Sequence, residues 1–370
     1  MKFTSTEATP APHVPPGVLR LTGAAKEDIP MYRIQTMNKI SPVGLNRFPS
    51  ELYEVGDAVQ DPQGILVRSA KLLDLEFNPS LLAIARAGVG VNNIPLDRCA
   101  AAGIPVFSTP GANANAVKEL VICAMLMGSR DIPGAIRWVR EQAASGVDVS
   151  TVVEKGKSAF IGPELYKKTL GIIGLGAIGS IVANTAISLG MDVYGYDPFL
   201  SVDTALRLDR HVHVVKDIND LYKRSDYITM HIHYTEKTAH MIDASAIAAM
   251  KRGVRVINLA RGEIVDDEAM LTALDTGMVA AYITDFPNNR LLTAPHVIAM
   301  PHLGASTPES EQNCAAMAVD ALRDYLESGN IRSSVNLPEM TMDRSGVQRL
   351  CVLHITPIPW WTLAARWVTT

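Results

Sequence analysis

Residues 169–198 read TLGIIGLGAIGSIVANTAISLGMDVYGYDP. The apolar run Leu170 to Ile173 has the length and bulk of a buried strand rather than a helix. A glycine-rich turn follows at once, with Gly174, Gly176 and Gly179 in the spacing G-x-G-x-x-G. In a dinucleotide fold the first glycine permits the tight turn, the second lets backbone approach a pyrophosphate, and the third lets the next helix pack closely on the strand. That helix is expected from about Ala177 to Leu189, its N-terminal N–H groups facing the phosphates and Gly190 ending it. A second apolar run, Met191 to Tyr196, closes a βαβ unit. Asp197 then stands where a carboxylate accepts hydrogen bonds from a ribose 2′-OH. A 2′-phosphate would meet like charge there, so the stretch implies NAD rather than NADP. Glycines often mark only a turn; here strand, helix and terminal acid agree on a ligand.

At 370 residues the chain is long enough for two domains, each with its own core. The formal net charge of −4 is mild and no basic stripe appears, which argues against a nucleic-acid partner. No apolar stretch reaches the roughly 18 residues of a membrane helix, and no hydrophobic leader core follows a basic start. A cytoplasmic protein with no membrane partner is expected. Cys99, Cys123, Cys314 and Cys351 form no C-x-x-C pair, which speaks for buried free thiols rather than disulfides or zinc. His231 with His233, and His211 with His213, form H-x-H pairs without an evident third ligand, so no metal is expected.

Residues 1–30 carry Pro10, Pro12, Pro15, Pro16 and Pro30 and no apolar period, so a disordered or loosely packed extension is expected, with Met31 as an alternative start. From Met31 to about Gly128, short strands alternate with helical stretches, the pattern of a small α/β domain. GILVRS reads as a strand ending at Arg68. LLAIARAGVGVNNI runs from a strand into Gly88-Val89-Gly90, a turn whose backbone N–H groups suit an anion. GIPVFSTPGANANAVKEL passes from Pro105-Val106-Phe107 to a helix near Asn115. The segment Ala116 to Met127 is apolar nearly all round, the composition of a helix buried between two layers or connecting two domains. Between Ile132 and Tyr166 the pattern weakens, and only Trp138 and Val139 suggest a helix. Beyond Asp197, HVVK (213–216), YITMHI (227–232), VRVINLA (254–260), VAAYIT (279–284) and VIAMP (297–301) read as strands with helices between several of them. A doubly wound parallel sheet with ligands at its carboxyl ends is the expected architecture. Thr307-Pro308 opens a later helix as N-cap and N1, with Gly329 as its stop, and SSVNLP returns as a strand to the first domain.

Two of these strand ends carry groups suited to hydride chemistry on a 2-hydroxy acid. Oxidising an alcohol needs a base for the hydroxyl proton, and histidine is the side chain that ordinarily titrates nearest neutrality. His302 follows a strand in MPHLGAST. Holding an α-carboxylate calls for a planar fixed charge, which arginine supplies bidentately. Arg261 follows a strand in INLARGEIVDDEAM. The bland alternatives are a satisfied loop histidine and an arginine paired with Asp266 or Asp267; their joint placement beside a dinucleotide turn favours function.

Four segments, RAGVGVNNIPLDRCAAAGIPVFSTPGANANAVKEL, GIIGLGAIGSIVANTAISLGMDVYGYDP, INLARGEIVDDEAM and MPHLGAST, resemble those of the D-isomer-specific 2-hydroxyacid dehydrogenases. The likeness covers roughly residues 31–354 and is greatest to the members that oxidise 3-phosphoglycerate to 3-phosphohydroxypyruvate, the entry to serine biosynthesis. It implies a two-domain α/β fold, with a Rossmann NAD domain (127–303) inserted in a smaller flavodoxin-like substrate domain (31–126 with 304–336). It also implies a homodimer formed through the NAD domain. Carried over by motif, Arg261 would hold the substrate carboxylate and His302 would be the acid–base. The Val89-Gly90 backbone would bind the same carboxylate, and Arg68 would meet the phosphate. Gly174, Gly176, Ala177, Ile178, Gly179, Asp197, His231, Ala260, Asp285 and His302 would contact NAD. In the family a glutamate after a D-V-F-like segment pairs with the histidine; this chain reads TDFPNNRLL there. Asn289 falls in the glutamate slot, and either Asp285 substitutes for it or an amide orients the imidazole. The nicotinamide-side aspartate shifts likewise to Thr284 or Asp285.

Residues 340–354 resemble the linker and opening strand of a small regulatory ACT domain. ITPIPWWTLAARWVTT, with Trp360, Trp361 and Trp367, then breaks the composition, so 337–370 is expected to be an incomplete start and aberrant tail without serine feedback. Two other readings stay open: reduction of hydroxypyruvate, glyoxylate or another 2-keto acid, and a non-catalytic NAD sensor or corepressor.

Overall fold

The structure is a computed structural model that describes residues 18–21, 31–343 and 349–352. The chain divides into two compact units, one built from residues up to Pro110 together with those from Gln312, the other from Gly111–Glu311.

The smaller unit begins with β1 (Val18–Leu21) and then builds a parallel sheet from β2 (Tyr32–Met37), β3 (Tyr53–Gly56), β4 (Gly64–Val67), β5 (Ala83–Arg86) and β6 (Val106–Phe107). The order β3-β2-β4-β5-β6 is that of a flavodoxin-like sheet. Strand β4 is buried from Gly64 through Val67, which is why GILV reads as a continuous apolar run. The helix Pro308–Ser328 packs on this sheet: Tyr32 Oη donates to the Leu326 carbonyl at 2.8 Å, and Ala318, Leu322 and Tyr325 are buried. Its N-cap is the expected one, with Ser310 N–H donating to Thr307 Oγ1 at 3.1 Å. SSVNLP returns as a single antiparallel bridge, Phe107 to Ser334, rather than a full strand. Asn336 takes the place of further ladder bonds, accepting from Val106 N–H at 2.8 Å and donating to the Ile104 carbonyl at 2.9 Å.

The larger unit contains β7 (Thr169–Ile173), β8 (Asp192–Tyr196), β9 (His213–Val214), β10 (Tyr227–Met230), β11 (Val254–Asn258), β12 (Val279–Thr284) and β13 (Val297–Ala299). All pair in parallel, in the order β13-β12-β11-β10-β7-β8-β9. This is the 3-2-1-4-5-6 arrangement of a Rossmann sheet with one further strand, and its switch point lies between β7 and β10. The pairing register is level at the carboxyl edge: Tyr196, Ile173, Met230, Asn258, Thr284 and Ala299 are partners in one transverse row. Leu170, Ile172, Val193, Ile257 and Ile283 are buried, packed with the helix Ala177–Ser188 on the same core.

Several expectations are corrected. The helix expected over 116–127 runs Ala114–Arg130 and packs on β11, β12 and the helix Ala177–Ser188, so it belongs to the larger unit, which starts at Gly111. It is buried on one side only: Val117, Val121 and Met125 are covered while Cys123 and Leu126 are exposed. Apolar composition alone did not say which face had a neighbour, and Cys123 is accordingly not a buried thiol. Two helices, Ile132–Ala144 and Val149–Gly156, fill the weakly patterned stretch, capped by Asp131 onto Gly134 N–H (3.1 Å) and Asp148 onto Ser150 N–H (3.0 Å). HVVK keeps only the two exposed strand residues His213 and Val214. Within residues 1–30, Val18–Leu21 is not loose chain: it pairs antiparallel with β14 (Arg349–Val352), a contact between chain ends that leaves no local signal. The alternative start at Met31 and the tail from residue 353 rest on residues outside those described. Among the described residues no helix is long and apolar enough to cross a membrane.

Candidate active site

Because the strand ends are level, the residues that follow them line one edge of the sheet. Asp197 follows β8, the glycine turn follows β7, His231 follows β10, Arg261 lies three residues past β11, Asp285 follows β12 and His302 lies three residues past β13.

The three glycines have different reasons to be glycine. Gly174 has φ +90°, and a Cβ there would sit 2.6 Å from the His231 carbonyl oxygen. A Cβ on Gly179 would come within 1.9 Å of the Gly174 carbonyl oxygen, so the helix packs too closely on the strand for any side chain. Gly176 is the contrast: it is exposed, its φ of −65° suits any residue, and a Cβ there would meet nothing within 4 Å. No protein atom within 4 Å occupies the space beside Gly176, which leaves the turn open to a ligand. Ala177 and Ile178 begin the helix there, Ala177 exposed and Ile178 half-buried. Asp197 closes the turn from the side, one carboxylate oxygen accepting from Leu175 N–H and the other from Phe199 N–H, each at 2.9 Å. Free N–H groups at a helix start, an open glycine and a fixed carboxylate fit a dinucleotide. His231 hydrogen-bonds Thr229 Oγ1 at 3.2 Å, and burial pushes its imidazole down to about 4, so it is neutral.

At the other end of the edge, Arg261 and His302 meet on one ring. The Arg261 guanidinium carbon lies 5.8 Å from the centroid of Phe286, and the His302 ring centroid lies 4.7 Å from it. Those two distances together cap the separation of guanidinium and imidazole at about 10.5 Å. Arg261 Nη1 donates to the Ala260 carbonyl at 2.6 Å, leaving the rest of the fork for an anion. Asp285 is 1% exposed, and its Oδ2 accepts from Gly304 N–H at 3.2 Å while its Oδ1 is buried without a partner. Burial pushes this carboxyl above the ordinary carboxylate range, an effect opposed by the Gly304 N–H and by the charge of His302. Asn289 is exposed, on a loop tied elsewhere: Asn288 donates to Asp267 at 2.6 Å and Arg290 pairs with Glu268. Thr284 is buried and its Oγ1 accepts from Phe286 N–H at 3.1 Å. A pocket of about 680 Å³ lies beside these groups, lined by Tyr282, Asp285, Phe286 and His302 and rimmed by Glu263, Asp266, Asp267 and Glu268.

In the smaller unit, Arg68 follows β4 and is exposed, while Val89 and Gly90 are half-buried in the turn after β5. Arg86 Nε donates to the Arg68 carbonyl at 3.0 Å, which ties the two strand ends together. Sequence reasoning missed three residues of the larger unit: Asn258, Tyr282 and Phe286. Asn258 and Tyr282 are buried inside runs that read simply as apolar strands; a polar residue closing such a run was the available signal.

Residues 122–304 match the model of the D-isomer specific 2-hydroxyacid dehydrogenase NAD-binding domain. Over 270 residues the chain is 36% identical to the hydroxypyruvate reductase of Thermotoga maritima, an alignment covering 70% of this chain and 83% of that one. The chain belongs to the D-isomer specific 2-hydroxyacid dehydrogenase family, and NAD is its cofactor. Among relatives with particular names, the D-3-phosphoglycerate dehydrogenase of Synechocystis sp. is 36% identical over 326 residues, or 86% of this chain and 56% of that one. That of Bacillus subtilis is 35% identical over 331 residues, 85% and 60% of the two chains, so this chain spans little more than half the length of these relatives. The solved NAD+-bound 3-phosphoglycerate dehydrogenase of Entamoeba histolytica superposes with a TM-score of 0.65 at 26% identity, covering 83% of this chain and 99% of that one.

Proposed function

We propose that the chain oxidises the 2-hydroxyl of 3-phosphoglycerate to 3-phosphohydroxypyruvate with NAD. The observation that carries this reading is the meeting of Arg261 and His302 on Phe286, at the carboxyl edge of a sheet whose other end holds the dinucleotide turn. NAD, when bound, supplies the hydride acceptor. Arg261 offers its remaining N–H donors to the α-carboxylate and so fixes the 2-carbon. His302 takes the hydroxyl proton during oxidation and returns it in the reverse direction. Asp285, rather than the exposed Asn289, is the carboxylate behind the imidazole: it is buried and bonded to the backbone two residues past His302. In the smaller unit, the Val89-Gly90 N–H groups and the Arg68 guanidinium are groups suited to an anion. The exposed side chains Ile136 (50%) and Val139 (38%) support a homodimer through the larger unit, which sedimentation at two concentrations tests.

Relatives named D-3-phosphoglycerate dehydrogenase, at 34–36% identity, support the choice of substrate. A second reading, an unphosphorylated acid such as hydroxypyruvate or glyoxylate, is favoured by the 36% identity to the hydroxypyruvate reductase of Thermotoga maritima. Steady-state rates with 3-phosphoglycerate and NAD, set beside a panel of unphosphorylated acids, separate them. A kcat/KM for 3-phosphoglycerate below that for every unphosphorylated acid overturns the first reading, and no turnover of either class leaves the sensor reading.

A further inference from the structure

The loop that presents Arg261 is held from below by a residue that neither motif nor family likeness singles out. Asn258 ends β11, is 0% exposed, and lies three residues before Arg261. Its Oδ1 accepts from Ala260 N–H at 3.1 Å and its Nδ2 donates to the Arg261 carbonyl at 2.8 Å, so one amide closes the whole Leu259-Ala260-Arg261 turn. The same Nδ2 lies 3.4 Å from the hydroxyl of Tyr282 on the neighbouring strand β12. Tyr282 is 1% exposed.

We infer that Asn258, aligned by the Tyr282 hydroxyl, is a positioning residue that sets where the Arg261 guanidinium sits. The inference rests on the proposed role of Arg261. A strand end leaves the next backbone groups without ladder partners, and here a side-chain amide provides one donor and one acceptor in fixed geometry. Only an amide does both. A carboxylate lacks the donor for the Arg261 carbonyl, and a hydroxyl is too short to span the turn. The backbone of Arg261 is extended, with φ −152° and ψ 141°, so the carbonyl clamp and the side chain sit at the two ends of one rigid residue. Arg261 Nη1 is anchored on the Ala260 carbonyl, whose own N–H is held by Asn258, so a shift of the clamp moves both the root and the tip of the side chain. Tyr282 is also one of the residues beside the pocket that Phe286 and His302 line. A reacting group displaced by about 1 Å loses on the order of 10²-fold in rate, which makes a clamp of this kind worth keeping in a buried position.

The test is a double-mutant cycle read in the KM of the hydroxy acid. Asn258→Ala is expected to raise that KM 10- to 100-fold and lower kcat, with NAD affinity measured by fluorescence titration unchanged. Arg261→Lys is expected to raise KM as well. If Asn258 acts through Arg261, the second substitution adds less than threefold to the first. Effects that multiply overturn the inference. A KM unchanged by Asn258→Ala also overturns it. A KM unchanged by Arg261→Lys alone instead removes the role of Arg261 and with it the proposed function, whatever Asn258 does. Should Asn258→Ala yield no folded protein, Tyr282→Phe decides: at least a threefold rise in KM with wild-type NAD affinity supports the clamp, and an unchanged KM refutes it.

Discussion

Substituting Gly176 by alanine separates a glycine kept for a ligand from one kept for the fold. The new Cβ meets no protein atom within 4 Å, and φ is −65°, so alanine enters without a clash. Two small terms act on stability: reduced freedom of the unfolded chain contributes about 0.4–1 kcal/mol in favour, and replacing glycine at an N-cap costs a similar amount. They nearly cancel, and Tm is expected to move by less than about 2–4 °C. Binding is another matter. A phosphate oxygen in van der Waals contact with the glycine Cα would overlap the new methyl and move out by roughly 1 Å, stretching an N–H···O contact of about 2.9 Å beyond hydrogen-bonding range. One charge-assisted bond lost is about 1.5–3 kcal/mol, a 10- to 150-fold weaker NAD Kd. Isothermal titration with NAD, beside a thermal melt, reads both quantities. Gly179→Ala is the control: its Cβ would stand 1.9 Å from the Gly174 carbonyl oxygen, so it is expected to lower Tm before affinity is in question. A folded Gly176→Ala protein with wild-type NAD affinity would refute the cradle.

Further outcomes follow from the same edge. His302→Gln is expected to lower turnover roughly 10²–10⁴-fold with NAD affinity within a few-fold of wild type; near-normal turnover removes the acid–base role. Arg261→Lys replaces a fork with a single point of charge and is expected to cost roughly 10- to 100-fold in kcat/KM for the hydroxy acid, measured by steady-state kinetics. His231 is neutral in the fold, at about 4 against an ordinary 6.5. The unfolded chain therefore takes up the proton first, and the stability present above pH about 6.5 is lost as pH falls toward 4, by on the order of 2–3 kcal/mol. His231→Gln should flatten that part of the melting-temperature profile, and an unchanged slope would show that the ring is not held neutral.

How far the sequence carried depends on what kind of contact fixed each residue. The stretch 169–198 was legible because strand, turn, helix and acid are local, and the structure places β7, the helix Ala177–Ser188 and β8 within a residue or two of the reading. Arg261 and His302 were legible because each follows an apolar run directly. Asp285 and Asn289 were not separable: both are short polar residues near one turn, and only the buried Gly304 N–H distinguishes them. Asn258 was passed over because VRVINLA reads as an apolar strand, although a polar residue near the end of such a run was a signal. The antiparallel pairing of β1 with β14 joins segments more than 300 residues apart, and nothing in either segment encodes the other.

The level register has a consequence for how the site is divided. Neighbouring strands lie about 4.8 Å apart, so the end of β11 is three steps, roughly 14 Å, from the end of β8, and β13 is five steps, roughly 24 Å, away. On the proposed roles, Asp197 and the glycine turn would act on one end of an extended ligand and Arg261 and His302 on the other, too far apart for a side chain to serve both. Only β10 stands between them. Its terminal His231 lends a carbonyl oxygen to the wall against Gly174, so the residue at the middle of the row packs directly on the phosphate turn. Substitutions at the β7–β8 end should change NAD affinity and leave hydroxy-acid KM alone, substitution of Arg261 should do the reverse, and coupling between the two should concentrate at His231.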